Sequence, residues 1–271
     1  MSIQVDNNWW QELFDEIYLL TDARTVCDEK LTCQEVDFLE GALDLDKSAS
    51  ILDLCGGQGR HSLELSRRGF VNVTVLDYSR YLVDLGGKRA KQEGLNTIFI
   101  QGDARNTGLC GQSFQFIIIM ASSFGYFIDE DENKKILKEA FRLLMPKGTL
   151  LLDLPDRDYV LQNFNPFSCH RVNEDITVSR ERELGDDIIY SRETVTSEKK
   201  GCIRNRTYCI RLYSPEKISA LMYSVGFSSI TCKKDFISRQ AEGDYGCMTN
   251  RMTVTAKKNL ETLTAISSED Y

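Results

Sequence analysis

The sequence predicts an α/β protein: a mostly parallel, seven-stranded sheet with helices on both faces and an antiparallel sheet inserted after the fifth strand. Three observations carry that expectation. Short apolar runs (Ile51–Leu54, Val71–Leu76, Thr97–Gln101, Phe114–Met120, Thr149–Leu154) alternate with stretches of helical periodicity. The first run breaks into Gly56-Gly57-Gln58-Gly59 and then into the helical spacing of Ser62 to Ser66, the opening of a nucleotide-binding α/β unit. From His170 to Tyr213 alternation replaces helical spacing, near 171–182, 187–196 and 202–212, with turns at Gly185-Asp186-Asp187 and Lys199-Lys200-Gly201 that read as an antiparallel meander.

Composition narrows the function. The 271 residues suffice for one large α/β domain with an insertion, and 42% hydrophobic with 27% charged residues is ordinary for a soluble globular chain. A net charge of -8 lacks the basic footprint of a nucleic-acid partner. Nine cysteines are scattered without a Cys-x-x-Cys pair, and only His61 and His170 accompany them, so neither a zinc site nor a disulfide framework is expected. Reduced thiols, a polar Met1–Asn8 and no apolar run longer than about Phe116–Ala121 point to a cytoplasmic protein without membrane contact.

In chain order, Trp9, Trp10, Leu13, Phe14, Ile17, Tyr18 and Leu20 form an aromatic stripe at helical steps, and a second helix is expected over roughly Cys33–Leu43. Residues 1–45 thus read as a helical cap. The dinucleotide fingerprint Gly-x-Gly-x-x-Gly would need glycine at position 62, which is Ser62. Asp77 ends the second strand, with Tyr78 and Ser79 leading into the next helix, and is placed to accept both ribose hydroxyls of a nucleoside. Gly102-Asp103-Ala104 follows the third strand. The fourth runs into Ala121-Ser122-Ser123-Phe124-Gly125-Tyr126, which should border a ligand at the carboxyl ends of the strands. A helix over about Asp131–Met145 is expected to stop at Pro146-Lys147-Gly148. Ser214-Pro215 starts another that ends at Gly226, and Ser228–Cys232 and Met252–Ala256 are strands six and seven. The expected organisation is a core of residues 46–160 and 214–258, an inserted lid of 161–213 and a polar tail of 259–271, with a long loop, Lys233–Arg251, holding Tyr245.

The stretch Asp53-Leu54-Cys55-Gly56-Gly57-Gln58-Gly59 resembles motif I, acidic-x-Gly-x-Gly-x-Gly, of the Rossmann-like (class I) S-adenosylmethionine-dependent methyltransferases, with Cys55 where the first glycine usually stands. The resemblance extends nearly continuously over residues 51–155 and implies S-adenosyl-L-methionine as cofactor and a seventh strand inserted antiparallel beside the fifth. Asp103 would accept from the adenine amino group, with the Ala104 amide beside it. The chain lacks the Asp/Asn-Pro-Pro-aromatic motif of the enzymes that act on DNA bases or glutamine. Its Ser-Ser-aromatic-Gly-Tyr loop is similar to that of small-molecule methyltransferases, sugar-amine N-methyltransferases among them. In that type an N-terminal Phe-Asp-x-x-Tyr helix closes over the cofactor, here Phe14–Tyr18, which adds Tyr18 and Arg24 to the expected cofactor contacts, and the inserted sheet roofs the acceptor. The expected cofactor-binding set is Tyr18, Arg24, Asp53, Cys55, Gly56, Gly57, Gly59, Asp77, Tyr78, Ser79, Gly102, Asp103, Ala104, Ala121, Ser122 and Ser123. Methyl transfer leaves no universal catalytic signature; His170 and Tyr126 are candidate bases, and His61 a more distant one. Two alternatives stay open: a non-catalytic methyltransferase-like scaffold, and a NAD(P)-dependent oxidoreductase, disfavoured by Ser62.

Overall fold

The structure is a computed structural model in which residues 3–236 and 250–259 are described. Tyr245 and residues 260–271 of the tail lie outside the described residues, as does the side chain of Arg24.

The main sheet has seven strands in the order β10-β11-β5-β4-β1-β2-β3. Five run parallel: β1 (Ser50–Leu54), β2 (Asn72–Asp77), β3 (Ile98–Gln101), β4 (Phe114–Ile119) and β5 (Leu144–Pro155). β11 (Arg251–Lys258) lies antiparallel between β5 and β10 (Phe227–Phe236). The chain builds outward from β1 through β2 to β3 and then crosses back to β4, so β1 and β4 flank the topological switch point, where open α/β sheets bind ligands.

The apolar runs are continuous because both faces of the sheet are covered. Leu52 and Leu54 face one core with Ile117, Ile119, Leu150 and Leu152, against α6 (Glu130–Leu143) and α8 (Pro215–Tyr223). Ile51 and Ile118 alternate to the other face, against Val36 and Leu39 of α3 (Glu29–Leu43) and Leu65 of α4 (Arg60–Arg67). α5 (Arg80–Glu93) starts on Ser79, whose hydroxyl accepts from Leu82 N. Pro146-Lys147-Gly148 does not separate helix from strand as expected. These residues lie within β5, where Lys147 takes φ 67° and the pairing with β4 shifts register between Phe114 and Phe116.

The N-terminal stripe is not one helix. A 3-10 turn at Trp9–Gln11 precedes α1 (Glu16–Thr21), which Asp15 starts by accepting from Ile17 N and Tyr18 N at 2.9 and 3.1 Å, and α2 (Ala23–Val26) follows. A competent N-cap outweighs continuation of the periodicity. The inserted sheet has four strands, not three: β6 (Phe167–Arg171), β7 (Ile176–Gly185), β8 (Ile188–Ser197) and β9 (Gly201–Arg211), consecutive and antiparallel. β6 is short and sits at the edge. One face of this sheet buries charge: Arg180, Arg182, Glu193 and Arg204 are all less than a tenth exposed. Arg204 bridges Asp15 at 2.7 Å and Arg180 bridges Asp22 at 3.1 Å, tying the N-terminal segment to the sheet. Among the described residues no helix is long and apolar enough to cross a membrane.

Candidate functional site

A cavity of about 980 Å³, its open mouth included, lies at the carboxyl ends of β1 to β4 beneath the N-terminal segment. Asp53 sits at its floor near the end of β1, fully buried. Its Oδ2 accepts the Ser62 hydroxyl at 2.8 Å, while Oδ1 has no hydrogen-bond partner among the described residues. Burial pushes this carboxyl up to about 6, against the lowering effects of Ser62 and Arg60. The turn above it must stay bare: a Cβ on Gly56 would lie 2.6 Å from the Asp53 Cγ. Cys55 holds the preceding left-handed position at φ 63° and puts its thiol into the wall, where burial keeps it protonated.

Asp77 ends β2 with its carboxylate oriented by two backbone amides, Gly57 N on Oδ2 and Ser79 N on Oδ1, both at 2.8 Å. Burial raises this group despite those bonds. Asp103, past β3, lies on the wall with Gly102 and Ala104. Arg105 grips it from the far side, Nε to both oxygens and Nη2 to Oδ2 at 2.6 Å, and these bonds outweigh burial to hold the carboxyl below its ordinary value. After β4, Ala121 and Ser122 take φ 56° and 59°. Ala121 N donates to Asp153 Oδ2 at 2.8 Å, fixing the turn that brings Ser123 and Tyr126 to the wall. Tyr126 bonds to Ser123, and burial pushes its hydroxyl well above the ordinary tyrosine range. Tyr18 comes from the N-terminal segment and is likewise raised by burial.

The cavity therefore gathers Tyr18, Asp53, Cys55, Gly56, Gly57, Asp77, Tyr78, Gly102, Asp103, Ala104, Ala121, Ser123 and Tyr126 from the expected residues. Four others stand elsewhere. Gly59, at φ 70°, packs where a Cβ would meet the Phe99 ring at 2.6 Å, so it serves helix–strand packing rather than the wall. The Ser79 hydroxyl caps α5 and donates to Phe14 O at 2.6 Å. Ser122 is buried behind the turn, its N–H on Asp153 O. His170 lies on edge strand β6 and is not on the wall, because the fourth strand places it away from the meander's start.

The sequence did not single out Trp10 and Phe127 on the wall, nor a buried charge cluster from which Arg60 and the candidate His61 also reach it. Glu35, fully buried on α3, forms an ion pair with Arg60 at 2.5 Å and accepts from His61 Nε2 at 2.8 Å and from Arg251, which also bridges Asp153 at 2.6 Å. Burial and Arg60 lower His61 to about 4, so its contact with Glu35 is a hydrogen bond from a neutral ring, and His61 is unsuited to carry a proton away at neutral pH. The helical spacing Thr32, Glu35, Val36, Leu39 was the available signal that Glu35 faces inward.

Residues 51–148 match the family described as "Methyltransferase domain". Over 216 residues the chain is 26% identical to a glycine/sarcosine N-methyltransferase of Halorhodospira halochloris, covering 78% of this chain and 77% of that one. A S-adenosylmethionine-dependent methyltransferase from Clostridium acetobutylicum superposes with a TM-score of 0.70 at 19% identity, over 90% of this chain and 96% of that one. An amino pentose methyltransferase from Micromonospora echinaspora, solved with S-adenosylmethionine bound, superposes at 0.62 with 18% identity, over 92% and 99%. These structural likenesses speak for the fold, a Rossmann-like α/β sheet, and residues 51–148, which carry the motif-bearing strands, match a methyltransferase domain.

Proposed function

We propose that this chain transfers the methyl group of S-adenosyl-L-methionine to a nitrogen or oxygen of a small-molecule acceptor, with an amine the better fit. The observation that carries this reading is the composition of one cavity wall. Three carboxylates, Asp53, Asp77 and Asp103, come from the ends of β1 to β3, and hydroxyl-bearing aromatics, Tyr18 and Tyr126, come from the N-terminal segment and the loop after β4.

The cofactor fits these residues. Asp53 Oδ1 is buried and lacks a donor, which a cationic ammonium would supply. Asp77 is pre-oriented by two amides to accept ribose hydroxyls, and Asp103 with the Ala104 amide would hold adenine. Bound there, the cofactor supplies an electrophilic methyl on sulfonium, displaced in line. The protein's part is to align the acceptor and exclude water. Phe14, Tyr18 and Tyr126 give the cavity an aromatic lining, which would favour an amine that becomes a cation as it is methylated. Tyr126 and Tyr18, raised by burial, remain protonated and can orient an acceptor without deprotonating it, which suits an amine that arrives with its lone pair free. The N-methyltransferase activity of the glycine/sarcosine relative supports nitrogen as the target.

Calorimetric titration with S-adenosylhomocysteine, run beside NADH, tests the cofactor. Label transfer from methyl-tritiated S-adenosylmethionine to panels of amino acids, amino sugars and alcohols tests the acceptor class. Binding of NADH alone would overturn the reading, and labelling of alcohols but no amine would overturn the preference for nitrogen.

A further inference from the structure

Arg105 stands outside the cavity wall, yet it joins the two parts that enclose it. Its side chain is 23% exposed and follows Asp103 in the loop after β3. The core holds its edges: Nε and Nη2 donate to Asp103, and Nη1 donates to Glu132 Oε2 at 2.6 Å. Its guanidinium carbon lies 4.8 Å from the ring centre of Trp10 and 4.7 Å from that of Phe127, and those two rings meet edge to face at 5.5 Å. Phe127 belongs to the loop after β4. Trp10 belongs to the N-terminal segment, is 8% exposed and lines the cavity.

That segment is fastened to the inserted sheet through Arg204, which donates to Leu13 O and Asp15, and through Arg180 on Asp22. Its fastenings to the main sheet's side include Ser79 on Phe14 O and Gln58 on Val26 O. The Arg105–Trp10 contact lies instead beside Asp103, at the end of the cavity assigned above to adenine. Trp10, Phe14 and Tyr18 all line the cavity, whose mouth is partly open, so displacement of the N-terminal segment widens the way in and out for a nucleoside.

We propose that Arg105 is a clasp, a positioning residue that pins Trp10 and hence the N-terminal segment over the adenine end of the cavity, and so sets the rate at which cofactor and spent cofactor exchange. This rests on the cofactor reading above. The clasp is built entirely from protein groups, so it holds the segment with the cavity empty or filled. Loosening it speeds entry and exit together and leaves the equilibrium affinity nearly unchanged. A mere support for Asp103 would behave otherwise: its loss would speed exit alone and weaken affinity in proportion.

Surface plasmon resonance of the immobilised full chain with S-adenosylhomocysteine separates these. Arg105→Met is expected to raise the association and dissociation rates together by about three- to thirtyfold, the span of one cation–ring contact, with Kd held within about threefold. Trp10→Leu, which leaves Asp103 and Arg105 in place but also removes a wall residue, is expected to raise the association rate likewise, and the double variant to associate no faster than the quicker single one. Arg206→Ala, which removes an exposed pair between Glu12 and the inserted sheet, should leave both rates unchanged. Wild-type rates in Arg105→Met, or faster dissociation with unchanged association, would overturn the clasp while leaving the cofactor reading intact. Failure of the wild-type chain to bind S-adenosylhomocysteine would overturn both.

Discussion

Replacing Asp53 by asparagine should stabilise the ligand-free protein above pH 6 and at the same time loosen its hold on the cofactor. The carboxyl is fully buried, and its folded-state value is pushed from 3.8 to about 6, chiefly by burial. A group raised on folding favours the fold while it is neutral. That contribution is complete below about pH 4 and is lost as pH rises through 6. Two pH units correspond to about 3 kcal/mol. Asparagine keeps the shape and can still pair with the Ser62 hydroxyl, but it carries no charge to desolvate. The variant's advantage should therefore grow from nothing near pH 4 to at most about 3 kcal/mol at pH 7.5, or roughly 6–12 °C in Tm. Binding should move the other way. If Oδ1 takes a charge-assisted bond from the cofactor, its loss weakens S-adenosylhomocysteine by about 1.5–3 kcal/mol. Thermal melts from pH 4.5 to 8 and calorimetry at pH 7.5 read both effects. A variant that melts below wild type at pH 8, or a gap that does not change with pH, would refute the account of Asp53 as a desolvated carboxylate kept for its ligand.

Asp77→Ala should weaken S-adenosylhomocysteine by about 1–3 kcal/mol through lost ribose bonds, and an unchanged calorimetric Kd would remove Asp77 from the site. Glu35→Ala strands Arg60, His61 and Arg251 in the interior and should cost about 3–5 kcal/mol in denaturant unfolding, whereas loss of an exposed pair such as Lys47–Glu40 should cost under about 1 kcal/mol. Gly59→Ala meets the Phe99 ring and a left-handed backbone, so it should lower Tm by several degrees; combining it with Phe99→Leu should recover part of the loss.

The parallel core was legible because its strands are buried on both faces and read as unbroken apolar runs, as Leu52/Leu54 and Ile51 divide between two cores. The three acidic positions were legible because each ends or follows a strand. The N-terminal segment was misread as continuous helix because its aromatics, spaced at helical steps, face different partners. Trp9 packs on Tyr126 and Tyr208, and Trp10 on Tyr78 and Phe127, around a chain that Asp15 interrupts. Strand β6 was missed because its sequence, Phe167 to Arg171, has no clean alternation; it is an edge strand that pairs only with β7. Glu35 and Arg251 were invisible as a pair because 216 positions separate them and only the assembled sheet brings β11 against β5.

The strained turns around the cavity make sense together. Cys55, Ala121 and Ser122 are non-glycine residues in left-handed backbone, and they stand at the carboxyl ends of β1 and β4, the two strands that flank the switch point. Each such residue costs about 1–2 kcal/mol unless its surroundings enforce it. Here they do. Cys55 N and Gly56 N both donate to Leu76 O, while Asp153, itself bridged by Arg251, takes the Ala121 amide on its side chain and the Ser122 amide on its carbonyl. Ser62 completes the set: where a dinucleotide fingerprint would have glycine, its hydroxyl satisfies one oxygen of Asp53 and leaves the other for a ligand. A glycine at 62 would leave both oxygens of a buried carboxylate without a side-chain donor, which raises the cost of keeping it ionised. The strained turns and the half-satisfied carboxylate thus converge on one crevice, and the buried Glu35–Arg251–Asp153 chain ties α3 to β11 and β5.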